Sequence, residues 1–474
     1  MELTMKTFLL AIFLLGSGIA QAQQRSTIVV NTNPDNEVSY WPVGMGDINS
    51  FTLGVKGKAD SNGCYVHGYE VSKPTAIRVL SKGVGSFTLY LTPGSKDTIT
   101  VSKDTLLFSG TNAAYNRCLR TVDDYQTYCE EVSYKGAHEL RNVSSLEMFT
   151  TLSDVRKNKA IDSIKSFELP LAFIEEQLMH VDYAYRSLFF QVVLHQVKDF
   201  SDDWKTALLG VLALPWDSPY LRNYRGVRSL CQDLSVVRFL KIEKGNPRAF
   251  TDPLKFQFDC FREYFKGENL LHAWATFIYE DISDQKHSPA ILPLYEELKT
   301  RFPNNSYLVA LQPGIDENIR YNSSVLNTKD YHILPCDSTI TCLEEAVKPF
   351  KGKVVYIDVW ATWCGSCKEM FEHVPAFKEM AKGLDVFYLY ISIDRPQAKE
   401  AWEKAIPYYQ LKGYHMLVNK ELGQSLYKEL GNERQVLSIP NFVIINKEGK
   451  IVERHACAPD EPEALLKQLS QYAH

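Results

Sequence analysis

The chain has 474 residues, of which 45% are hydrophobic and 23% are charged, and its formal net charge is −5. This composition is ordinary for a globular protein, and the length allows for two or three domains. The acidic balance and the lack of a basic stripe with interleaved aromatic residues argue against a nucleic-acid partner.

The first 22 residues have the pattern of a signal peptide. Lys6 precedes a short apolar run at residues 8–15, which leads to the small-residue sequence Ala20-Gln21-Ala22. A basic start, an apolar stretch and such a cleavage site together direct a chain to export. The apolar run is shorter than the about 20 residues that span a bilayer, and no later run is long enough. We expect an exported mature chain without a transmembrane span.

Residues 23–112 are predicted to form an all-β, sandwich-like module. Short segments with partial alternation of apolar and polar residues are separated by Gly, Pro, Asn and Asp, as is typical of strands joined by turns. These segments lie at residues 50–55, 64–69, 76–80, 87–91 and 98–101. The module has no paired carboxylates and no metal-ligand cluster, so we expect it to have a docking or structural role.

Residues 113–325 are predicted to be an α-helical region, because apolar residues recur there at helical spacing. The clearest segments lie at residues 171–197, 204–214, 261–282 and 290–301. The sequence Leu311-Gln312-Pro313-Gly314 interrupts the pattern, and a linker is expected near residues 312–330.

Residues 326–474 alternate between strand and helix patterns, which predicts an α/β domain. The first strand, residues 354–359, is almost continuously apolar, as a strand buried on both faces should be. A helix at 364–382, a strand at 386–393 and a helix from 402 to 409 follow. The chain ends with strands at 441–445 and 450–454 and a helix at 462–472.

The sequence Cys364-Gly365-Ser366-Cys367 begins the first of these helices. Residues three apart on a helix share a face, so the two sulfurs can form a bond. The unpaired N–H groups and the dipole at the helix N-terminus stabilise a thiolate, so we expect Cys364 to attack a disulfide and Cys367 to resolve the product. The alternatives are a structural disulfide or half of a zinc site, but zinc needs four ligands and the sequence has no second CxxC or HxxxH.

The stretch from Val354 to Lys368 resembles the thioredoxin family, and within it the exported TlpA/ResA-like branch. The resemblance rests on Asp358 six residues before Cys364, on Trp-Ala-Thr-Trp before the motif, and on Ile-Pro downstream. It covers about a third of the chain. It implies a thioredoxin fold, a periplasmic location, and disulfide exchange with protein substrates, without a bound cofactor or metal.

Six further positions are expected to shape the chemistry. A lone carboxylate such as Asp358 in an apolar strand should have a raised pKa, which suits it to exchange a proton with the second cysteine; the alternative is an exposed aspartate paired with a lysine. The resemblance implies that Pro440 is cis and positions the backbone of Ile439 to pair with an extended substrate, although a proline that begins a strand is unremarkable. Trp363, with Gly365 and Ser366, is expected to face the substrate.

The sequence also departs from the family pattern. Ser366 replaces a common proline and adds an N–H group near the thiolate, which should make the couple somewhat more oxidising. Met370 stands where the ResA-like branch often has a glutamate, so that branch's pH behaviour should not be carried over. The strand at 388–393 lacks the lysine that thioredoxin keeps beside the buried acid, so proton handling is expected to differ.

Net reduction, fed by a membrane electron donor, is the favoured direction, because the periplasm already has a separate route for making disulfides. Ile439 also resembles the reducing members. Three alternatives stay open: a disulfide oxidase or isomerase, a thiol peroxidase, and a partner-binding module with a vestigial CxxC. His415 and His455 are expected to be structural, and Cys336 and Cys342 are a candidate local disulfide.

Overall fold

The computed structural model of the chain describes residues 24–42, 55–81, 85–102, 105–132, 139–244 and 253–473. The predicted signal peptide lies outside the described residues, as does all but the last residue of the strand expected at 50–55. None of the described helices is long and apolar enough to span a bilayer. The chain forms two compact units, one of Met1–Glu280 with Pro293–Leu311 and one of Asp281–Leu292 with Gln312–His474.

The N-terminal part of the first unit is rich in strands, as expected. Its strands are β1 (Gln24–Asn31), β2 (Glu37–Pro42), β3 (Val55–Lys58), β4 (Cys64–Val71), β5 (Thr75–Ser81), β6 (Gly85–Leu91), β7 (Lys96–Ser102) and β8 (Thr105–Gly110). They form two four-stranded sheets, in the orders β4-β1-β7-β8 and β3-β2-β5-β6. Ile28 and Ile99 of the first sheet and Val38 and Ile77 of the second belong to one apolar core, so the two sheets are held together by shared burial.

The predicted helical middle region is also present. Its helices are α1 (Ala113–Glu131), α2 (Leu146–Lys165), α3 (Leu171–His195), α4 (Asp202–Leu212), α5 (Val227–Val237), α6 (Pro253–Tyr264), α7 (Gly267–Ser283), α8 (Ile291–Arg301) and α9 (Ser306–Asn322). A buried ion pair joins this region to the sheets, because Arg78 of β5 lies 2.7 Å from Asp123 of α1. Asp123 also accepts the backbone N–H of Thr88 at 2.6 Å.

The prediction of a break at residues 311–314 is wrong, and so is the predicted start of a linker near residue 312. Helix α9 continues through Pro313, which removes one backbone hydrogen bond without ending the helix. Gly314 is needed there for packing, since a Cβ at this position would lie 2.1 Å from Cγ2 of Ile282. A proline next to a glycine therefore marks a close helix contact here rather than a linker.

The second unit is built on a six-stranded sheet. Its strands are β9 (Tyr331–Ile333), β10 (Val354–Trp360), β11 (Val386–Ser392), β12 (Gly413–Leu417), β13 (Asn441–Ile445) and β14 (Ile451–Glu453). Their order in the sheet is β14-β13-β10-β11-β12-β9. Its helices are α10 (Leu343–Val347), α11 (Gly365–Phe371), α12 (Val374–Met380), α13 (Lys399–Tyr408), α14 (Lys420–Leu430) and α15 (Pro462–Ala473). Strand β10 pairs in parallel with β11 and antiparallel with β13.

Every residue of β10 is buried, as its apolar sequence predicts. Val355 and Ile357 point into one core of the unit, and Val354 and Tyr356 point into another, so the sheet is covered on both faces. The helix predicted at 364–382 is two helices, because Pro375 cannot donate the hydrogen bond that would continue α11.

Candidate active site

Cys364 and Cys367 lie where β10 leads into α11, and their sulfurs form a disulfide. Cys364 caps the N-terminus of this helix: its Sγ accepts the backbone N–H of Cys367 at 3.1 Å. The Oγ atom of Ser366 lies 3.5 Å from the same sulfur. Polar groups that can stabilise negative charge on Cys364 are therefore already in contact with its sulfur.

The loop before the motif is held by Asp394, which follows β11. Its carboxylate accepts the backbone N–H and the hydroxyl of Thr362, each at 2.8 Å, and the hydroxyl of Ser392 at 2.7 Å. These bonds fix the chain that leads into Cys364. The sequence analysis did not identify Asp394 as a site residue. The available signal was its position directly after β11, the strand that pairs with β10.

The residues expected to face a substrate differ in exposure. Trp363 is 66% exposed, and Gly365 and Ser366 are exposed beside it. Ile439 and Pro440 are partly buried, and the peptide bond between them is cis, as the resemblance implies. Ile439 packs against the apolar cluster that contains both cysteines, so this part of the site comes together in space.

Asp358 lies in the middle of β10, paired with Tyr390 of β11 and Phe442 of β13. It is 3% exposed, and its Oδ1 atom has no hydrogen-bond partner among the described residues. Burial raises the pKa of Asp358 to about 8, against the opposing attraction of Lys378. Because Asp358 is buried, the alternative of an exposed aspartate paired with a lysine is excluded.

Lys378, on α12, is a second group at this carboxyl that sequence reasoning missed. Its Nζ atom lies 4.3 Å from the ring centroid of Tyr388 and 5.2 Å from that of Tyr390, and it donates to the carbonyl of Lys412. Burial lowers the pKa of Lys378 to about 7, and the attraction of Asp358 opposes this. The signal available for Lys378 was that it directly follows Phe377, which is buried.

The other candidate residues have local partners. His415 is buried, with Nε2 2.7 Å from the carbonyl of Leu411, and burial lowers its pKa to about 3. His455 lies 3.0 Å from the amide of Asn441. The eight cysteines outside the motif are free, so the candidate pair of Cys336 and Cys342 is not bonded. The described part of the chain contains no cluster of side chains placed to bind a metal.

A solvent-open cavity of about 570 Å³ lies beside the disulfide. It is lined by Thr362, Trp363 and Gly365 near the motif, and by residues 283–286 at the end of α7. The Nζ atom of Lys368 donates to the carbonyl of Gln285 at 2.7 Å. Sequence reasoning missed this arrangement, because the contact joins residues 83 positions apart.

Several known proteins are similar to the C-terminal part of this chain. The Redoxin family model matches residues 344–469. The thiol-disulfide oxidoreductase ResA of Bacillus thuringiensis subsp. konkukian is 31% identical over 130 residues, which are 27% of this chain and 65% of that protein. A thioredoxin of Coprinus comatus is 31% identical over 62 residues, or 13% of this chain and 58% of that protein. A solved structure of a thiol-disulfide oxidoreductase from Bacteroides fragilis is 26% identical, covers 26% of this chain and 84% of that one, and has a TM-score of 0.21.

The chain thus spans 65% of the length of the first of these relatives. The Redoxin match contains the buried aspartate, both cysteines and the cis-proline. The C-terminal region of this chain is therefore similar to Redoxin-family proteins and to the thiol-disulfide oxidoreductase ResA.

Proposed function

We propose that the chain is an exported thiol–disulfide oxidoreductase that exchanges its Cys364–Cys367 pair with protein substrates, with net reduction of the substrate. The observation that carries the proposal is the disulfide at the start of α11, where Cys364 Sγ accepts the N–H of Cys367 beside the exposed Trp363. The relatives' printed names, thiol-disulfide oxidoreductase and thioredoxin, support the same chemistry.

The reaction begins with the reduced pair. The Cys364 thiolate attacks one sulfur of the substrate disulfide, and the second substrate sulfur leaves with the electron pair and takes up a proton. Cys367 then loses its proton and attacks Cys364 Sγ, which restores the disulfide and releases the first substrate sulfur. The substrate gains two electrons and two protons, and the protein's dithiol loses them. A membrane donor would have to return the two electrons before the next cycle.

Asp358 is the proposed proton acceptor for Cys367. A general base is most effective when its pKa lies near the working pH, and the pKa of Asp358 is raised to about 8. The Oδ1 atom has no hydrogen-bond partner in the described part of the chain, which leaves this carboxyl able to accept a proton. The backbone of Ile439, held by the cis peptide bond to Pro440, is proposed to pair with the substrate, and Trp363, Gly365 and Ser366 to contact it.

The periplasm is the proposed location, since the first 22 residues have the pattern of a signal peptide. We also propose that residues 23–112 form a sandwich-like module with a docking or structural role and that residues 113–325 form a helical region, ahead of the thioredoxin-like domain at 326–474.

The test is the equilibrium reduction potential of the Cys364–Cys367 pair, measured in defined thiol buffers with Cys364→Ser as the control without a transition. We expect a value of about −270 mV, as in thioredoxin. A value of about −120 mV would overturn the reducing direction in favour of an oxidase or isomerase.

A further inference from the structure

A second cavity, of about 770 Å³, opens to solvent in the helical region of the first unit. It lies between α3, the loop that follows α4, and the end of α6. Every residue that lines it belongs to the first unit and lies outside the Redoxin match, so the cavity shares no residue with the redox site. Its volume falls within the range of small-molecule sites, about 300–1,000 Å³.

The interior of this cavity is apolar. Its walls include Leu178 and Met179 of α3, Leu212 at the end of α4, and the rings of Trp216 and Tyr264. Trp216 is 3% exposed and meets Tyr264 edge to face, with 6.0 Å between the ring centroids. Large aromatic rings of this kind provide much apolar contact area. A ligand held in the cavity therefore has to place an apolar ring or chain against these groups.

The loop that carries Trp216 is fixed by contacts from two helices. Arg186 of α3 donates to the carbonyl of Pro215 at 3.0 Å, and its guanidinium lies 4.7 Å from the centroid of the Trp216 ring. Asn269 of α7 donates to the carbonyl of Ser218 at 2.9 Å. The wall of the cavity is therefore formed before any ligand binds, as is usual for ligand sites.

The rim of the cavity carries a negative charge. Its charged residues are Glu175, Asp217, Glu263 and Lys266, all of them exposed. Glu263 is paired with Arg238 at 2.7 Å. No ion pair within the described ranges neutralises Glu175 or Asp217. With Arg238 counted, three carboxylates stand against two cations, so the rim attracts a cation and repels an anion.

A buried acceptor without a donor lies behind this rim. The Nδ2 atom of Asn269 donates to Asp217 Oδ1 and to the carbonyl of Ser218, both at 2.9 Å. Because both partners are acceptors, they fix the orientation of the amide. Asn269 is 6% exposed, and its Oδ1 atom has no hydrogen-bond partner in the described part of the chain. The surroundings of Asp217 therefore offer unused acceptors, which suit a ligand that donates hydrogen bonds.

We propose that this cavity binds a small amphipathic cation, an organic molecule whose apolar ring or chain packs against Trp216 and whose ammonium or guanidinium group lies at Asp217 and Glu175. The apolar interior disfavours a wholly polar ligand, and the carboxylates on the rim disfavour an anion. This inference goes beyond the proposed function and does not rest on it, because the two sites share no residue.

The test compares two fluorescent probes on the full chain. Monodansylcadaverine joins an apolar dansyl ring through a pentyl chain to an ammonium group, and 6-(dansylamino)hexanoate ends the same chain in a carboxylate. Dansyl emission rises when the ring leaves water, so a titration gives the Kd of each probe. Glu175→Gln and Asp217→Asn together remove the charges on the rim, and Leu214→Arg adds a cation at a lining position that is 39% exposed. Asp154→Asn, at an exposed position on α2 outside the lining, is the matched control.

We expect the wild type to bind the ammonium probe at least tenfold more tightly than the carboxylate probe. The double variant and Leu214→Arg should each bring the two Kd values to within twofold of each other, and Asp154→Asn should keep the wild-type ratio. Circular dichroism shows which variants are folded, and Leu214→Arg keeps the test valid if the double variant is not.

Three results would overturn the inference. One is a wild type that binds both probes equally, and another is a wild-type ratio retained in every folded rim variant. The third is a wild-type Kd above about 1 mM for the ammonium probe, which is too weak for a built site.

Discussion

The variant Asp358→Asn tests the raised pKa of the buried carboxyl, because it keeps the side-chain shape and removes the charge. In the folded protein Asp358 has a pKa of about 8, against an ordinary value of 3.8. Between these values the folded state holds a proton that the unfolded state has released. The wild type therefore loses stability as the pH rises through this window, and the asparagine variant does not.

The magnitude follows from the linkage relation. One pKa unit corresponds to about 1.4 kcal/mol, so the difference in unfolding free energy between variant and wild type should grow by about 1.4 kcal/mol per pH unit. Between pH 4.5 and 6.5 this amounts to roughly 3 kcal/mol in favour of the variant. The whole displacement from 3.8 to about 8 corresponds to roughly 6 kcal/mol.

The other titratable groups around Asp358 change their protonation little in the folded protein between pH 4.5 and 6.5. Burial keeps the pKa values of Tyr356 and Tyr390 well above their ordinary value, so both stay protonated. His415, with a pKa of about 3, stays neutral. Lys378, with a pKa of about 7, is still mostly protonated at pH 6.5, which is why the comparison ends there.

The assay is hydrogen exchange of peptides from β10 and β11 in the oxidised protein, corrected for the intrinsic exchange rate at each pH. It reports the opening of this unit alone, which matters because two compact units need not unfold together. Asp385→Asn is the control, since that carboxylate is 55% exposed. Parallel pH curves for wild type and Asp358→Asn would refute the raised pKa.

Three further predictions concern other contacts. Lys378→Met should move the ionisation of Asp358 to higher pH, because the ammonium group that favours the carboxylate is lost; a carboxyl titration by NMR measures this, and Lys378→Arg should restore the wild-type midpoint. Asp123→Ala should destabilise the first unit by about 3–5 kcal/mol in urea unfolding, since it leaves a buried guanidinium unpaired; a loss below about 1 kcal/mol would contradict this. Asn322→Ala removes the hydrogen bond to the carbonyl of His287, so exchange of residues 283–292 should quicken by the equivalent of about 1 kcal/mol while β10 is unaffected.

Local patterns in the sequence were sufficient for much of the second unit. The apolar run that became β10 could form only a strand covered on both faces, and the cysteine spacing places both sulfurs at the start of one helix. Strand β9 and strand β12 were not predicted, because strands of three and five residues have too few positions to show a period. Helix α14 was missed despite its buried Leu422, Leu426 and Leu430, whose spacing of four was visible in the sequence.

Contacts between distant segments could not be read in this way. Gln285 meets Lys368 of the active-site helix through one backbone carbonyl, and a carbonyl is common to every residue, so no side-chain pattern marks it. The continuation of α9 through Pro313 depends on the packing of Gly314 against Ile282, which is a property of two helices rather than of one.

The missing strand lysine illustrates the same limit at the site itself. The sequence showed correctly that β11 carries no lysine, and at the register position beside Asp358 it has Tyr390. The structure supplies the cation from α12 instead, since Lys378 reaches over the rings of Tyr388 and Tyr390. The pKa of a buried carboxyl depends on how close a charge lies and on how far water is excluded. Neither condition depends on which strand or helix carries the charged side chain. Comparison with a family pattern therefore shows that a residue is absent from its usual position. Only the folded structure shows whether another residue supplies the electrostatic effect of the missing one.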